Sequence, residues 1–441
     1  MPPEASLPRR RKLLYASSSL GGEALTQSRS QWLLYFYAPP RTSDLERLLP
    51  RELAGPLLTV GRLLQAFEDP LVGWWSDRTR SRLGRRLPFI LGATPFWALF
   101  AFLLFTPPDA GTVATAFYLV VTLELMFLFG TLSGGPYESL LPEIARTSDD
   151  RVSIVGMRVY FGAAGAAAGF FGAGLLIDHA GFAAMAAVMA LLALVFRYAG
   201  TAGVWEQARS SRAAADIPLR DALRATFAND QFRFFLPSFV LFQLGLQMVL
   251  AVLPFYAEAV LGAEETGTWV GALTAVAIAV MVLTIRPLAR FAHRTSKRHA
   301  FRLAMAGSAL VFPLLSVAGL IPGVPAEAEV VAVMVLAGPP IAGVYLFPAA
   351  LTADIVDYDA SRTGLRREAM YYGAQNFVEK LSTSLGPAIL AGLLLLGDSA
   401  ENTLGLRLVG PVAGAVVFVG YLIFQRYDLP DHSSSSASVG A

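Results

Sequence analysis

The sequence predicts an all-α polytopic membrane protein with twelve transmembrane helices in two six-helix bundles. The first observation is composition: 55% of the 441 residues are hydrophobic and 15% are charged, against roughly 25% charged residues in soluble globular proteins. The second is the arrangement of the apolar residues in blocks of about 20, the length that crosses a hydrocarbon core as a helix. The third is the uneven distribution of basic residues between those blocks.

Charged or Pro/Gly-rich breaks separate the apolar blocks into twelve predicted spans. The spans cover residues 14–38, 54–76, 87–106, 113–141, 152–177, 181–204, 232–260, 266–290, 300–321, 328–354, 368–397 and 405–426. We therefore expect the following organisation: an N-terminal bundle over 1–204, a cytoplasmic linker over 205–231, a C-terminal bundle over 232–427 and a disordered cytoplasmic tail over 428–441.

The basic residues predict the orientation of the chain. With both termini in the cytoplasm, 26 of the 35 lysines and arginines lie on the cytoplasmic side, four lie on the other side and five lie inside spans. Cytoplasmic loops are enriched in these residues. We expect a multi-pass protein of the cell inner (plasma) membrane. The polar start MPPEASLPRRRK has no apolar signal-peptide region, and we interpret its arginines as a cytoplasmic anchor.

Several functional classes are disfavoured by what the sequence lacks. It contains no cysteine, and none of the GxxxxGK[ST], HExxH or GxSxG motifs. We therefore predict that the protein is not an enzyme, has no metal site or cofactor, and does not use ATP. The basic runs lie between spans without interleaved aromatic residues, so we expect them to contact lipid and not nucleic acid.

Span two carries two adjacent carboxylates. An ionisable side chain in mid-membrane costs on the order of 2.5 to 3.5 kcal/mol and normally faces a polar cavity. Asp69 shares a helical face with Arg62 and Gln65, whereas Glu68 is turned by about 100°. We expect Asp69 to face the cavity. The alternative is that it only caps or kinks the helix before Pro70.

Other spans also carry charges. Lys380 lies too far from the ends of span eleven to reach an interface, so it marks the interior or forms a static salt bridge. Glu138 follows a Gly-Gly-Pro break in span four with Arg158 as its expected counter-charge, unless Glu138 already lies in the cytoplasmic interface. Span one contains Glu23 and Arg29 and must face water or polar groups, unless its first turns lie outside the bilayer.

Two further patterns concern helix arrangement. The loops SDRTRSRLGRR and AHRTSKRHAFR, after spans two and eight, resemble each other about half a chain apart, as in parallel six-helix repeats. Gly162, Gly165 and Gly169 of span five predict close contact with a neighbouring helix.

Three motifs spread over most of the chain form a specific combination. They are Glu68-Asp69-Pro70 with Gly73, Ser76-Asp77, Arg82, Gly84-Arg85-Arg86 and Pro88; Pro136-Tyr137 with Ser139-Leu140, Pro142, Arg151 and Arg158; and Ala353-Asp354-Ile355-Val356-Asp357-Tyr358 with Arg367-Glu368, Tyr372 and Lys380. The combination resembles the signature of the glycoside-pentoside-hexuronide cation symporters, the melibiose permease-like branch of the major facilitator superfamily. The resemblance implies the major facilitator fold and cation-coupled solute transport.

The resemblance also implies a coupling site between spans two, four and eleven. Asp69 and Lys380 match the coupling aspartate and lysine of the family. Gln65 replaces a second aspartate, and Gly134 replaces the aspartate of span four. Because sodium prefers several hard oxygen ligands, these two losses favour a proton as the coupling ion over sodium. Glu138 is the second candidate for the protonation site.

The solute site and the gate follow from the same resemblance. Glu23 and Arg158 match a substrate-binding aspartate and its partner arginine, whereas Glu138 replaces a tryptophan and Gly22 a lysine. The expected solute-binding residues are Glu23, Arg158, Arg62, Tyr137, Tyr372 and Gln375. The expected cytoplasmic gate comprises Asp77, Arg82, Gly84, Arg85, Arg86, Asp354, Asp357 and Arg367.

The sequence thus favours a monomeric secondary transporter that moves a sugar, glycoside or related polar solute by alternating access. Competition between a proton and Lys380 for Asp69 would couple the ion to the conformational change. One alternative is a lysolipid carrier of the same fold, with Arg158 or Lys380 holding a phosphate. A second alternative is a membrane sensor that binds a ligand without transporting it.

Overall fold

The protein is described from a computed structural model. The structure describes residues 7–41, 43–79, 81–145, 148–209, 229–363, 371, 374, 375 and 385–429. Within these ranges, the side chains of residues 61–67, 69–71, 73, 74, 77, 78, 142, 143, 148, 149, 151 and 152 are not described.

Every regular element in these ranges is helical, which confirms the predicted all-α class. The helices are α1 (Arg9–Tyr37), α2 (Arg51–Arg78), α3 (Leu87–Leu103), α4 (Gly111–Glu138), α5 (Leu141–Ile144), α6 (Ser148–Ala167), α7 (Ala173–Gly203), α8 (Trp205–Arg209), α9 (Asp230–Ala259), α10 (Thr266–Arg294), α11 (Lys297–Val311), α12 (Ala326–Thr363), α13 (Leu385–Leu394) and α14 (Leu404–Phe424). A π-helical turn, Ala168–Gly172, joins α6 to α7, and a 3-10 turn, Phe312–Ser316, continues α11.

Seven helical segments of the described chain are long and apolar enough to cross a membrane. They are Gly111–Glu138, Ser153–Gly203, Asp230–Ala259, Thr266–Arg294, Lys297–Ser316, Ala326–Thr363 and Leu404–Phe424. The segment Ser153–Gly203 contains predicted spans five and six, which meet at Gly181, where φ is 81°. Helices α1, α2 and α3 correspond to the first three predicted spans, and α13 lies within the eleventh, most of which falls outside the described residues.

Side-chain caps begin two of the C-terminal helices. The Asn229 Oδ1 atom accepts hydrogen bonds from the N–H groups of Gln231 and Phe232 at the start of α9, at 3.0 and 3.3 Å. The Ser296 hydroxyl accepts from the His299 N–H at the start of α11, at 2.9 Å. These three hydrogen bonds satisfy N–H groups that the first turn of a helix leaves without a partner.

The chain divides into two compact units. The first comprises Met1–Pro39, Ser43–Ala215 and Glu264–Ala272. The second comprises Pro40–Thr42, Asp216–Ala263 and Leu273–Ala441.

Helix α1 is central to the first unit and packs mainly against α6 and α7. Small residues make this packing close. A Cβ atom on Gly165 would lie 2.2 Å from the Leu20 carbonyl oxygen, and one on Gly169 would lie 2.5 Å from the Ala24 carbonyl oxygen. The predicted packing role of these two glycines is confirmed. They hold one face of α1 against α6 and the π-helical turn, which brings polar side chains of α1 and α6 together.

The predicted linker and tail lie mostly outside the described residues. Helix α8 forms the first five residues of the linker. At the start of the tail, the Asp428 N–H donates to Gln231 Oε1 at 2.8 Å, and its carboxylate accepts from Arg298. The first residue of the expected disordered tail is thus bonded to α9 and α11.

Candidate functional site

Arg158 of α6 and Glu138 at the end of α4 form a bidentate ion pair. The Arg158 NH1 and NH2 groups donate to Glu138 Oε2 and Oε1 at 2.6 and 2.5 Å. Its Nε–H donates to the Ser19 hydroxyl of α1 at 3.2 Å. Paired N–H donors match a carboxylate in both charge and shape. The structure therefore brings together the two residues expected to pair, and their site joins three helices.

Exposure differs between the two partners. The Glu138 side chain is 52% exposed, whereas that of Arg158 is 25% exposed. Of the two side chains, that of Glu138 is therefore the more accessible to an approaching molecule.

Glu23 extends this arrangement along α1. It lies one turn beyond Ser19, on the same helical face, and is partly buried. The Gln27 amide, a further turn along, donates to Glu23 Oε2 at 3.1 Å. Opposite Glu23, a Cβ atom on Gly162 would lie 3.6 Å from its Cγ atom. Ser19, Glu23, Gln27, Glu138 and Arg158 are called the polar cluster below.

The charges of the polar cluster act on one another. Arg158 attracts the Glu23 carboxylate, and Glu138 repels it. Among the residues that the structure describes, the one hydrogen bond to the Glu23 carboxylate comes from Gln27. With both glutamates ionised, the cluster has one more negative charge than positive charges.

Tyr137 precedes Glu138 but is enclosed. Its side chain is 1% exposed, and its hydroxyl donates to the Tyr15 carbonyl oxygen at 2.6 Å. The Tyr15 hydroxyl donates to the Tyr137 carbonyl oxygen at 3.0 Å. This position differs from the direct solute contact that the sequence led us to expect, and it gives Tyr137 a packing role that fixes the end of α4 to α1.

Arg197 of α7 supports this packing, although the sequence suggested no role for it. Its guanidinium lies 4.6 Å from the centre of the Tyr137 ring and 5.3 Å from the Trp97 ring. The residue is 8% exposed. A cation over an aromatic face is attracted by the ring quadrupole, more so when water is excluded. Arg197 thus holds Tyr137, the residue before Glu138, and also attracts Glu138 electrostatically.

Several predicted site residues fall outside what the structure describes. The side chains of Arg62, Gln65, Asp69 and Asp77 are among these, as are residues Arg367, Tyr372 and Lys380. The expected coupling pair of Asp69 and Lys380 therefore stays a prediction. Glu68, next to Asp69, is partly buried.

Gln375 belongs to the second unit. Its Oε1 atom accepts a hydrogen bond from the Thr352 hydroxyl of α12 at 2.7 Å, and the residue is buried. This contact places it against α12, as expected for a polar residue inside a span. Its expected part in solute binding stays a prediction.

The expected gate residues of the first unit fall into two groups. Arg85 and Arg86 are buried, whereas Arg82 is exposed and its carbonyl accepts from Arg209 Nε at 3.4 Å. Gly84 has φ of 87°, and a Cβ atom on it would lie 2.8 Å from the Ala208 carbonyl oxygen. Only glycine combines that backbone conformation with such a close approach. The loop after α2 is thereby fixed to α8.

In the second unit, Asp354 forms an ion pair with Lys297. The Lys297 ammonium donates to both carboxylate oxygens, at 2.7 and 2.6 Å. The pair joins the start of α11 to α12. Asp357, one turn along α12, is exposed.

Glu124 is an ionisable residue that the sequence-based search missed. It lies in the middle of α4 within the apolar stretch LELMFLFG and is partly buried. It is repelled by Glu68 of α2, and its Oε1 atom has no hydrogen-bond partner among the described residues. The rule that intramembrane charges mark functional interiors would have identified it.

No group of three or more His, Cys, Asp or Glu residues that could hold a metal ion occurs in the described part of the chain.

Comparison with known proteins shows what this chain is similar to. The family model described as MFS/sugar transport protein matches residues 14–431. The crystal structure of the nucleoside transporter NupG superposes with a TM-score of 0.67 at 14% identity, covering 95% of this chain and 99% of that one. At this identity the likeness shows the fold alone, and it confirms the predicted major facilitator fold.

Two relatives differ in the solutes that their names give. The isoprimeverose transporter of Lactiplantibacillus pentosus is 24% identical over 85% of this chain and 77% of its own length. The sodium-dependent lysophosphatidylcholine symporter 1 of Gallus gallus is 31% identical, over 36% of this chain and 31% of its own length.

Proposed function

Because the chain belongs to the MFS/sugar transport protein family, we propose that it is a proton-coupled symporter for an uncharged, hydroxyl-rich solute such as a sugar or glycoside. Family membership and the helical fold make it a multi-pass membrane transporter and not an enzyme. The solute class, the coupling ion and alternating access are parts of the proposal.

The observation that carries the solute class is the bidentate pair of Arg158 and Glu138. An anionic solute would bind by replacing Glu138 on the Arg158 guanidinium, and it would meet two carboxylates on the way. Sugar hydroxyls instead donate hydrogen bonds to carboxylate and amide oxygens. The half-exposed Glu138, with Glu23 and Gln27 beside it, offers such acceptors.

The relative with the wider coverage supports the same class, since it is named for isoprimeverose transport and matches most of both chains. The lysophosphatidylcholine symporter matches about a third of this chain and supports a lysolipid as the second candidate. In that case Arg158 or Lys380 would hold the phosphate, and Arg158 would have to leave Glu138 to do so.

A proton is proposed as the coupling ion because the family's sodium ligands are depleted. Gln65 and Gly134 stand where the resemblance implies aspartates, so Asp69 is the remaining matched carboxylate, with Lys380 as its expected partner. Competition between a proton and Lys380 for Asp69 would couple the ion gradient to alternation between inward- and outward-facing states.

The remaining features follow from the same model of transport. The loop after α2 and the pair of Lys297 and Asp354 would act at the cytoplasmic gate, together with Asp357, Arg367 and the arginines of the loop. We propose a monomer in the inner membrane, with both termini cytoplasmic and its apolar faces against lipid.

Uptake by proteoliposomes tests the proposal. The purified protein is reconstituted, a pH gradient is imposed with or without sodium, and the entry of labelled neutral glycosides and of lysophosphatidylcholine is measured. We expect glycoside uptake that follows the pH gradient and is abolished in Asp69→Asn. Uptake of lysophosphatidylcholine without glycoside uptake would refute the proposed solute class. Uptake that depends on sodium and not on the pH gradient would refute the proton as the coupling ion.

A thermal-shift screen first selects the solutes to be tested for uptake, because a ligand that binds the native state raises apparent stability by mass action. It is run at acidic and alkaline pH with sugars, glycosides and lysolipids. A glycoside that stabilises the protein but never enters the vesicles would identify a sensor and refute transport.

A further inference from the structure

The polar cluster contains a carboxylate whose charge the described structure leaves without a close cation. Glu23 receives one neutral hydrogen bond, from Gln27 at 3.1 Å. Arg158, the cation that acts on it, is bonded through two N–H groups to Glu138 and through Nε to Ser19. An ionised group inside a span is costly unless it is paired. Either Glu23 gains a cation or it loses its charge.

Arg158 has the capacity to serve both glutamates. A guanidinium carries five N–H donors, and the three contacts above use three of them. Its contact with Ser19 already places it against α1, one helical turn from Glu23. We expect a rotation of the Arg158 side chain to turn one of its remaining N–H groups toward Glu23. Glu138 and Glu23 therefore compete for the Arg158 guanidinium.

The groups around Glu23 determine how strongly it attracts Arg158. Arg158 of α6 attracts it, Glu138 of α4 repels it and Gln27 of α1 donates to it. No charged group of α7 or of the π-helical turn, which also pack against α1, acts on it among the described residues. On α2, the side chains of Arg62 and Asp69 are outside the described part.

We infer that Glu23 is a proton-binding site of the transporter. A proton from the aqueous phase binds the Glu23 carboxylate and removes the excess negative charge of the polar cluster, and Arg158 then stays with Glu138. Release of the proton restores the charge, and Glu23 draws Arg158 from Glu138, which changes the acceptors presented to a solute. The inference rests on the proposed symport and adds a second proton site to the one proposed at Asp69.

This assignment differs from what the family resemblance implies for the same residue. The resemblance makes Glu23 a solute contact. The geometry adds a reason why this contact depends on pH: the residue that orients Glu138 for the solute is the same residue that an ionised Glu23 attracts.

Infrared difference spectroscopy between acidic and alkaline pH tests the inference without a solute. A protonated carboxyl group has a carbonyl stretch that the carboxylate lacks, and enclosed carboxyl groups absorb at higher frequency than hydrated ones. We expect the wild-type protein to show such a high-frequency component that titrates reversibly. Glu23→Gln should lose the part of this component that belongs to Glu23, and Asp69→Asn should keep that part.

Glu23→Asp provides the second variant. It retains a carboxyl group but shortens the side chain, so the component should persist at a shifted frequency because the hydrogen bond from Gln27 changes. An unshifted component in Glu23→Asp, a full component in Glu23→Gln, or none in the wild type overturns the inference. If the component behaves as expected but no solute enters proteoliposomes under a pH gradient, the proton site stands and the proposed symport fails.

Discussion

Tyr15 and Tyr137 exchange hydrogen bonds across two helices: each hydroxyl donates to the other residue's backbone carbonyl, at 3.0 and 2.6 Å. Their rings stack with centroids 4.7 Å apart and planes inclined by 10°. Both side chains are fully enclosed. The pair therefore fixes the end of α4, and with it Glu138, relative to α1.

The first prediction concerns this pair. Tyr15→Phe and Tyr137→Phe each remove one hydroxyl and the hydrogen bond that it donates between the two helices, so each should lower the free energy of unfolding by about 0.5 to 1.5 kcal/mol. The double variant should lose less than the sum, because the two contacts hold the same helix pair. A denaturing-detergent titration measures all three. Strict additivity would show that the two bonds act independently.

The second prediction concerns the ion pair of the polar cluster. Arg158→Lys keeps the charge but lacks the planar fork that meets both oxygens of Glu138. If orientation of Glu138 matters for the solute, uptake should fall at least about tenfold, which corresponds to the loss of one charge-assisted hydrogen bond of about 1.5 kcal/mol or more.

Glu138→Gln is the matched control for that variant. It keeps the shape of the side chain but removes its charge, so Arg158 loses the carboxylate that an anionic solute would have to replace. An anionic lysolipid should then bind better than to the wild type, as measured by thermal shift. Wild-type uptake in Arg158→Lys would contradict the proposed part of Arg158 in solute binding. Unchanged lysolipid binding in Glu138→Gln would show that Glu138 does not exclude anions from Arg158.

The sequence predicted helix bounds and ion pairing better than it predicted the enclosure of single side chains. Span four was predicted at 113–141 and α4 is Gly111–Glu138, because apolar length directly reflects bilayer thickness. The pairing of Arg158 with Glu138 followed from the cost of unpaired charge in a span. The enclosure of Tyr137 did not, because its partner lies 122 residues away and no local pattern shows where a hydroxyl points.

The third prediction concerns the close approach of α1 and α6. In Gly165→Ala, the added Cβ would lie 2.2 Å from the Leu20 carbonyl oxygen, so the helices must separate. The melting temperature should fall, and the bonds that join Arg158 to α1 should weaken.

Gly156→Ala, in the same helix, is the control. A Cβ atom at Gly156 meets nothing within 4 Å, and alanine is favoured over glycine in a helix by roughly 0.5 to 1 kcal/mol. That variant should be as stable as the wild type or more so. Equal melting temperatures for the two alanine variants would show that helix contact at Gly165 is not limiting.

The fourth prediction concerns the loop after α2. Gly84 has φ of 87° and approaches the Ala208 carbonyl oxygen, which an added Cβ would meet at 2.8 Å. Gly84→Ala therefore combines backbone strain of order 1 to 3 kcal/mol with a steric clash, and it should detach the loop from α8.

Gly111→Ala separates the two effects, because Gly111 has a comparable φ of 75° but nothing within 4 Å of its ideal Cβ position. Both variants should lower the melting temperature, and Gly84→Ala should lower it more. Hydrogen exchange at residues 205–209 should rise only in Gly84→Ala, since these residues contact the loop. Equal exchange there in both variants would mean that Gly84 acts through its own conformation and not by fixing the loop to α8.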